Sequence, residues 1–152
     1  MRSQFTSADI LQCIIARYFE GEHGASTVSI GFAPKWDIRF SDGSTWEIKF
    51  DSMARSTLNA AIEYWDTRRN KATGILETEA SKWLHLVPDG NGIQCYEMNT
   101  VDLIRLCFEC GKVKAGGDYD ASLMKIIPLQ DIKRISIKHF YLEDELLNKV
   151  RY

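Results

Sequence analysis

The stretch PKWDIRFSDGSTWEIKFD, residues 34–51, decides the fold, because its pattern indicates two strands around a tight turn. Apolar residues alternate with polar ones in both halves, so each strand presents one apolar face to a core. A two-residue turn at 42–43 would place these apolar faces on opposite sides of the sheet. We therefore predict a three-residue loop, 41–43, in which Gly43 adopts the left-handed conformation and Ile38 pairs with Trp46.

The same register predicts that two acidic side chains meet on the polar face of this hairpin. Asp37 falls directly opposite Glu47, with β-carbons ~5 Å apart, and Lys49 shares their face. Adjacent carboxylates repel each other unless a cation lies between them. Their oxygens suit a hard divalent ion such as Mg²⁺, which can polarise a phosphodiester beside a charge-stabilising ammonium. The alternative is a solvated polar face on which Lys49 forms a cross-strand ion pair.

Composition limits the class of protein to which this hairpin belongs. The 152 residues are 45% hydrophobic and 26% charged, which predicts one globular domain with a sizeable core. No apolar run approaches the ~20 residues that span a bilayer, and the N-terminus lacks a signal-peptide pattern, so we expect a soluble, cytoplasmic protein with no membrane partner. The four scattered cysteines indicate reduced thiols, and Cys107 and Cys110 lack the second ligand pair of a zinc site. The formal net charge of −2 gives no global indication of nucleic-acid binding, although it is compatible with a local basic patch.

Helices and strands alternate around the hairpin. Helical spacing of apolar residues predicts a helix over 8–20, and a buried strand, WLHLVP, pairs with GIQCYEM across the turn DGNG. The sequence thus predicts an α/β protein with a mixed β-sheet flanked by helices. The other predicted elements are a strand STVSIGF (26–32), a strand LNAAIEYW (58–65), a polar loop (66–74), a short helix EASKW (79–83) capped by Thr78, a helix VDLIRLCFEC (101–110) stopped by Gly111, a flexible loop (111–120), strands LMKIIPL (123–129) and ISIKHFYL (135–142), and a frayed terminal segment (143–152).

Asp37, a hairpin and then the sequence EIK at 47–49, all following an N-terminal helix, resemble the core of the PD-(D/E)XK nuclease superfamily. The stretches NAAIEYW and GILETEASKWLHLVP are similar to small phage and bacterial endonucleases of the Holliday-junction-resolvase-like branch. One departure is that Pro34 stands three residues before Asp37 instead of directly before it. The resemblance implies a restriction-endonuclease-like core (αβββαβ) over about residues 8–96, in a single nuclease domain of residues 1–152 with a C-terminal extension over about 97–152.

The resemblance also implies roles for individual residues. Asp37 and Glu47 would bind the catalytic metal, Mg²⁺ or Mn²⁺, and the backbone carbonyl of Ile48 would complete its ligand shell. Lys49 would act on the attacking water or on the phosphate. Many relatives use a glutamate on the first helix, for which Glu20 is the best-placed residue.

The acidic residues outside the hairpin also have ordinary structural interpretations. Glu22 could replace Glu20, and either could be a plain surface acid at a helix end. Glu63, in an apolar strand expected beside the core strands, could be an outer-shell ligand or a half-exposed strand residue.

Basic residues in and near the predicted loops are candidates for DNA contacts. Positive side chains near a cleft are what phosphate-backbone binding needs, and such contacts carry little sequence information. The alternative for each is a solvated surface charge. The candidates are Arg55, Arg68, Arg69, Lys71 and Lys82.

Together these observations predict a metal-dependent endonuclease that hydrolyses DNA phosphodiester bonds, with branched or structured DNA as the substrate that the resemblance suggests. The alternative is a catalytically inactive nucleic-acid-binding or protein-interaction module of the same fold. The resolvase-like relatives also imply a homodimer, for which the apolar strands near the C-terminus could supply the interface.

Overall fold

A six-stranded sheet that contains the hairpin forms the centre of the fold, and a four-stranded sheet packs on it. The structure is a computed structural model that describes residues 7–24, 26–30 and 35–143. Its α-helices are α1 (Ser7–His23), α2 (Ala54–Thr57), α3 (Thr100–Glu109) and α4 (Leu129–Ile135). Its strands are β1 (Thr27–Ile30), β2 (Ile38–Phe40), β3 (Thr45–Phe50), β4 (Asn59–Asp66), β5 (Lys71–Ala72), β6 (Lys82–Pro88), β7 (Gly92–Asn99), β8 (Lys112–Gly116), β9 (Ser122–Pro128) and β10 (Lys138–Glu143).

The six-stranded sheet is mixed, with the order β1-β2-β3-β6-β7-β10. Only β3 and β6 are parallel to each other, and the other neighbours are antiparallel. The predicted α/β class with a mixed sheet and flanking helices is therefore confirmed. The crossover from β3 to β6 differs from the expected helix, because it contains the four-residue α2, the strands β4 and β5, and a 3₁₀ turn at Gly74–Leu76.

The predicted register of the hairpin is confirmed. Ile38 pairs with Trp46, and Gly43 adopts a φ of +87°, which is the left-handed conformation that glycine tolerates best. The Gly43 amide donates to the Phe40 carbonyl at 3.0 Å, and Phe40 donates to Ser44 at 3.0 Å. The loop therefore keeps the apolar side chains of both strands on one face.

Each face of the six-stranded sheet is covered by a separate apolar cluster. On one face, Ile15 and Phe19 of α1 pack against Phe40 and Trp46. On the other, Trp83 belongs to a cluster that also includes residues of β4, β9, α3 and α4. Each large apolar side chain buried in this way contributes roughly 1.5–3 kcal/mol to stability.

Strand β4 forms where the pattern LNAAIEYW predicts it, but it does not join the sheet of the hairpin. It belongs to the four-stranded sheet, of order β5-β4-β9-β8. Leu58, in the left-handed conformation with a φ of 58°, caps α2 just before β4 begins. Ala60 and Ile62 are then buried in the cluster that contains Trp83. Alternating apolar residues are expected both in a strand of a second, packed sheet and in a strand of the hairpin sheet itself. The pattern therefore does not distinguish these two positions.

Two local predictions after residue 77 are wrong, and a third is correct only in part. EASKW is not a helix, because Glu79 and Ser81 bond to Lys35 and Thr45 and hold the segment extended before β6. The expected loop over 111–120 contains β8, which pairs with β9 along its length. The expected strand over 135–142 is shorter, since residues up to Ile135 belong to α4 and β10 starts at Lys138.

The remaining elements agree with the predictions where the structure describes them. Helix α3 ends as expected, with Gly111 at a φ of +94°. The pairing of β6 with β7 is confirmed. Residues 31 and 32 of the expected first strand, and 144–152 of the expected terminal segment, lie outside the described residues.

A buried polar network connects the two sheets. His85, with no exposed surface, lies with its Nε2 atom 2.9 Å from Oδ2 of Asp51, and its Nδ1 atom accepts from the Trp83 indole at 3.3 Å. The same Asp51 oxygen accepts the Ala61 amide of β4 at 3.0 Å. Burial alone would raise the pKa of Asp51, but the bonds from His85 and Ala61 outweigh burial and lower it. Asp51 is therefore an ionised anchor between β3, β6 and β4.

We expect His85→Ala to lower the free energy of unfolding by about 3 kcal/mol, because it leaves the Asp51 carboxylate buried without its main partner. Urea denaturation measures the change. The matched control is His139→Ala, on the exposed surface of β10, which should cost less than about 1 kcal/mol. Equal losses in the two variants would contradict the anchoring role.

Candidate active site

The structure brings Asp37 and Glu47 together on the face of the hairpin that points away from α1. The amide of Asp37, next to the start of β2, donates to the Trp46 carbonyl at 2.8 Å. Its carboxylate Oδ2 atom accepts the amide of Ile48 at 2.7 Å. Because side chains alternate along β3, Glu47 projects to the side opposite the buried Trp46. The pair is thus held by backbone hydrogen bonds of the hairpin itself.

The electrostatics of this pair favour a bound cation. The pKa of Glu47 is raised to about 7, mainly by burial and also by the nearby Asp37 and Glu77, against the lowering effects of Thr78 and Lys49. Burial also raises the pKa of Asp37, against the lowering effect of the Ile48 amide. Full ionisation of both groups is therefore costly without a positive charge between them.

The backbone of β3 offers a further oxygen to the same site. The Ile48 amide points toward Asp37, and the amide and carbonyl of one strand residue point to the same edge of a strand. The amide of Asp51, three residues after Ile48, points to the opposite edge of the strand, where it donates to the Leu86 carbonyl of β6 at 2.8 Å. The Ile48 carbonyl therefore faces the side of β3 on which Asp37 lies.

These donors fit the divalent metal that the resemblance implies. Mg²⁺ and similar ions take oxygen ligands and commonly bind through one or two carboxylates, with waters and substrate phosphate in the other positions. Asp37, Glu47 and the Ile48 carbonyl could supply such a set. Within the described ranges there is no group of three or more His, Cys, Asp or Glu side chains that could hold a metal. A metal here would therefore leave several coordination positions for water and substrate.

Lys49 contributes a positive charge to this face. It is half-buried, and it is close enough to Glu47 to lower the pKa of that carboxyl. Its ammonium makes no ion pair within 4 Å and no hydrogen bond with any described residue. The described residues therefore do not show the cross-strand ion pair that was the structural alternative.

The glutamates of α1 lie apart from this pair. Glu20 accepts the Thr27 amide through Oε1 at 2.9 Å, so it links the end of α1 to β1. Glu22 bonds to Lys138 of β10. Since α1 packs on the face opposite Asp37 and Glu47, neither glutamate reaches the carboxylate pair in this arrangement.

Glu63 makes its contact in the second sheet rather than with the pair. It lies in β4, which belongs to the other sheet, and it accepts a hydrogen bond from Ser122 of β9. Its neighbour Ile62 points into the core between the sheets, so Glu63 projects away from that core. Its position is that of a partly exposed strand residue.

The predicted basic residues divide into two groups by position. Lys71 is linked to the carboxylates through Glu77, since its Nζ lies 3.9 Å from Oε1 of Glu77, which in turn affects the pKa of Glu47. Arg68 and Arg69 are exposed in the turn that precedes β5, where the Arg68 guanidinium lies 4.9 Å from the centre of the Tyr119 ring. We refer to these three residues, which lie in the turn and at the first position of β5, as the basic turn.

The other two basic residues have different surroundings. Lys82, which pairs with Trp46 next to Glu47, donates to Asn99 at 2.7 Å. Arg55 packs so closely on Gly90 that a β-carbon there would lie 2.9 Å from its Nη1 atom. Gly90 follows the C-terminal end of β6, whereas Glu47 lies beside the N-terminal part of that strand. Arg55 is therefore at the far end of the β3–β6 pair.

One residue of this site, Thr78, was not predicted from the sequence. Its hydroxyl lies 2.9 Å from Oε2 of Glu47 and 3.1 Å from the Lys35 carbonyl. The threonine before EASKW is typical of a helix cap, and a contact across 31 residues leaves no local pattern.

Comparison with known proteins adds no assignment to this geometry. No protein-family model matches the chain, and no curated protein matches it either. In the part of the chain that the structure describes, none of the helices is long and apolar enough to cross a membrane. Asp37, Glu47 and Lys49 are therefore the residues whose geometry points to a function.

We expect the metal-free protein to lose stability as the pH rises from about 5 to 8, because the folded state raises the pKa of Glu47 from 4.5 to about 7. Ionisation in that window is easier in the unfolded chain. Glu47→Gln should flatten this dependence and raise the melting temperature at pH 8 by roughly 3–6 °C.

Melting curves in EDTA across this pH range test the prediction. The control is Glu143→Gln, which changes an exposed acid at the end of β10. Parallel pH profiles for wild type and Glu47→Gln would contradict the electrostatic account of the pair.

Proposed function

We propose that this protein is a Mg²⁺- or Mn²⁺-dependent nuclease that hydrolyses DNA phosphodiester bonds. The observation that carries the proposal is the convergence of two crowded carboxylates, Asp37 and Glu47, with an ammonium, Lys49, that no described residue pairs. The resemblance of D…EIK to the PD-(D/E)XK superfamily supports the same reaction. We also propose that the intracellular partner is DNA, and that the fold is a variant of the restriction-endonuclease-like core.

The residues of the site would divide the reaction between them. Asp37, Glu47 and the Ile48 carbonyl would hold the cation, which when bound would polarise the phosphodiester and lower the pKa of a water molecule. Lys49 would orient the attacking water or donate to the phosphate oxygen on which negative charge develops. Lys49 can serve in this way because its ammonium is not neutralised by a described carboxylate.

A purely structural role explains the pair less well. Two carboxyl groups that lie near each other in a half-buried position raise the free energy of the folded protein when both are ionised, as the elevated pKa of Glu47 indicates. A polar face selected for stability alone would relieve this repulsion with a salt bridge to Lys49. Sites whose pKa values are strongly shifted are more often functional than other polar surfaces.

The substrate side of the proposal rests on the basic turn of Arg68, Arg69 and Lys71. Lys71 contacts Glu77, which lies near Glu47, so this turn could hold the DNA backbone beside the site without reading its sequence. The resolvase-like resemblance favours branched or structured DNA. Paired cuts on such a substrate require two active sites, so we propose a homodimer as the cutting species.

We expect Lys49→Met to reduce the cleavage rate by roughly 10²–10³-fold, the usual loss when one group that stabilises developing charge is removed. Asp37→Asn should remove metal-dependent cleavage altogether. The assay uses labelled single strand, duplex, flap and four-way junction DNA with Mg²⁺, Mn²⁺ or EDTA. DNA binding should remain measurable in both variants.

The control for this assay is Lys114→Met, an exposed lysine of β8 in the second sheet, which should leave the rate unchanged. Cleavage that persists in Lys49→Met would overturn the proposed role of Lys49. Folded wild-type protein that binds DNA but never cuts it, with either metal, would favour the catalytically inactive binding module.

The two groups of basic residues should differ in their effect on DNA binding. We expect Lys71→Ala to weaken binding and to reduce the slope of log K against log[salt] by about 1, since it removes one phosphate contact near the site. Arg55→Ala, at the far end of the β3–β6 pair, is the matched control with a smaller effect. Fluorescence anisotropy at several salt concentrations measures both, and a larger loss for Arg55→Ala would contradict the proposed path of the DNA.

A further inference from the structure

The hydroxyl of Thr78 links the crossover segment to both halves of the carboxylate site. Its Oγ1 atom lies 2.9 Å from Oε2 of Glu47 and 3.1 Å from the carbonyl of Lys35, two residues before Asp37. It also accepts the amide of Ala80 at 3.1 Å. One side chain thus contacts the strand of Glu47 and the segment that leads to Asp37.

The hydroxyl of Thr78 has one proton to donate and a preferred acceptor for it. The Lys35 carbonyl already accepts the Glu79 amide at 2.9 Å, so it has a partner without Thr78. The Ala80 amide occupies an acceptor position of the hydroxyl and turns its proton away from the crossover backbone. An ionised Glu47 is the stronger acceptor of the two that remain. The hydroxyl therefore donates to Oε2 when Glu47 carries its charge.

We propose that Thr78 is a positioning residue that fixes the Glu47 carboxylate for cation binding, an inference that rests on the proposed metal-dependent function. The bond to Oε2 restricts rotation of the carboxylate and leaves Oε1 for the cation. Partners that orient a metal ligand in this way commonly change metal affinity by about 10–100-fold when they are removed.

The crossover segment around Thr78 packs on the hairpin through other contacts, so its position does not depend on this hydroxyl. The amide of Glu79 binds the Lys35 carbonyl, and the side chains of the same two residues form an ion pair. Ser81 is bonded to Thr45 through its amide at 3.0 Å and through its hydroxyl at 3.2 Å. Because these contacts hold the segment on both sides of Thr78, removal of one hydroxyl should leave the fold intact.

The test compares Thr78→Val, which keeps the shape and removes the hydroxyl, with Thr78→Ser, which keeps the hydroxyl. We expect Thr78→Val to weaken Mn²⁺ binding by about 10–100-fold and Thr78→Ser by less than about threefold. The dissociation constant of Mn²⁺ is measured without DNA, by calorimetry or by electron paramagnetic resonance. Cleavage by Thr78→Val should return to near the wild-type rate at saturating Mn²⁺, since only affinity is reduced.

The control is Ser81→Ala, which removes a hydroxyl bond of the same crossover that does not reach Glu47, and which should leave Mn²⁺ affinity unchanged. Equal Mn²⁺ binding by wild type and Thr78→Val, or equal losses in Thr78→Val and Ser81→Ala, would overturn the role of Thr78 while leaving the metal site in place. Folded wild-type protein that binds no Mn²⁺ at millimolar concentration would overturn the proposed function and this inference together. If Thr78→Val does not fold, Thr78→Ala and Thr78→Ser decide between the same outcomes.

Discussion

A loop of three residues, rather than two, between β2 and β3 sets the side on which every later side chain of the hairpin lies. With this loop, Ile38 and Trp46 share the face covered by α1. Asp37 and Glu47 are then forced onto the other face, whatever the cost of their repulsion. One residue more or less in the loop would bury one carboxylate against α1 and expose an apolar side chain in its place. The apolar core and the acidic pair are therefore consequences of one choice of register.

The parallel pairing of β3 with β6 extends this arrangement into the rest of the molecule. It pairs Lys49 with His85, and the imidazole of His85 contacts the Asp51 carboxylate. One face of β3 thus carries a solvent-accessible acidic pair at one end and a buried, fully bonded acid at the other. The two acids differ in their partners: Asp51 accepts from an imidazole and a backbone amide, whereas Glu47 has, among the described residues, the hydroxyl of Thr78 and the more distant charge of Lys49. Burial of Glu47 therefore lowers stability, whereas burial of Asp51 is compensated by its hydrogen bonds.

Sequence reasoning predicted the parts of the fold that depend on local pattern. The hairpin, α1, the β6–β7 pair and α3 all follow from alternation, helical spacing and turn residues within a few positions. It did not predict that β4 stacks on the hairpin sheet, because Ala60 and Ile62 show the same alternation in either location. It also missed Thr78 and the extended segment before β6, where contacts with Lys35, Thr45 and Glu47 override the local preference for a helix. Asp37, Glu47 and Lys49 could be placed together because register alone relates them.

The second sheet is assembled from two separated parts of the chain. Strands β4 and β5 come between β3 and β6, whereas their partners β8 and β9 follow α3. During synthesis on the ribosome, α1 and the hairpin are complete early, but β4 lacks its long partner β9 until most of the chain has been made. Non-local pairing of this kind slows folding and leaves a strand edge unpaired in the interval. The nascent chain would thus contain Asp37 and Glu47 before the four-stranded sheet is complete. Chaperone binding would be most useful in this interval.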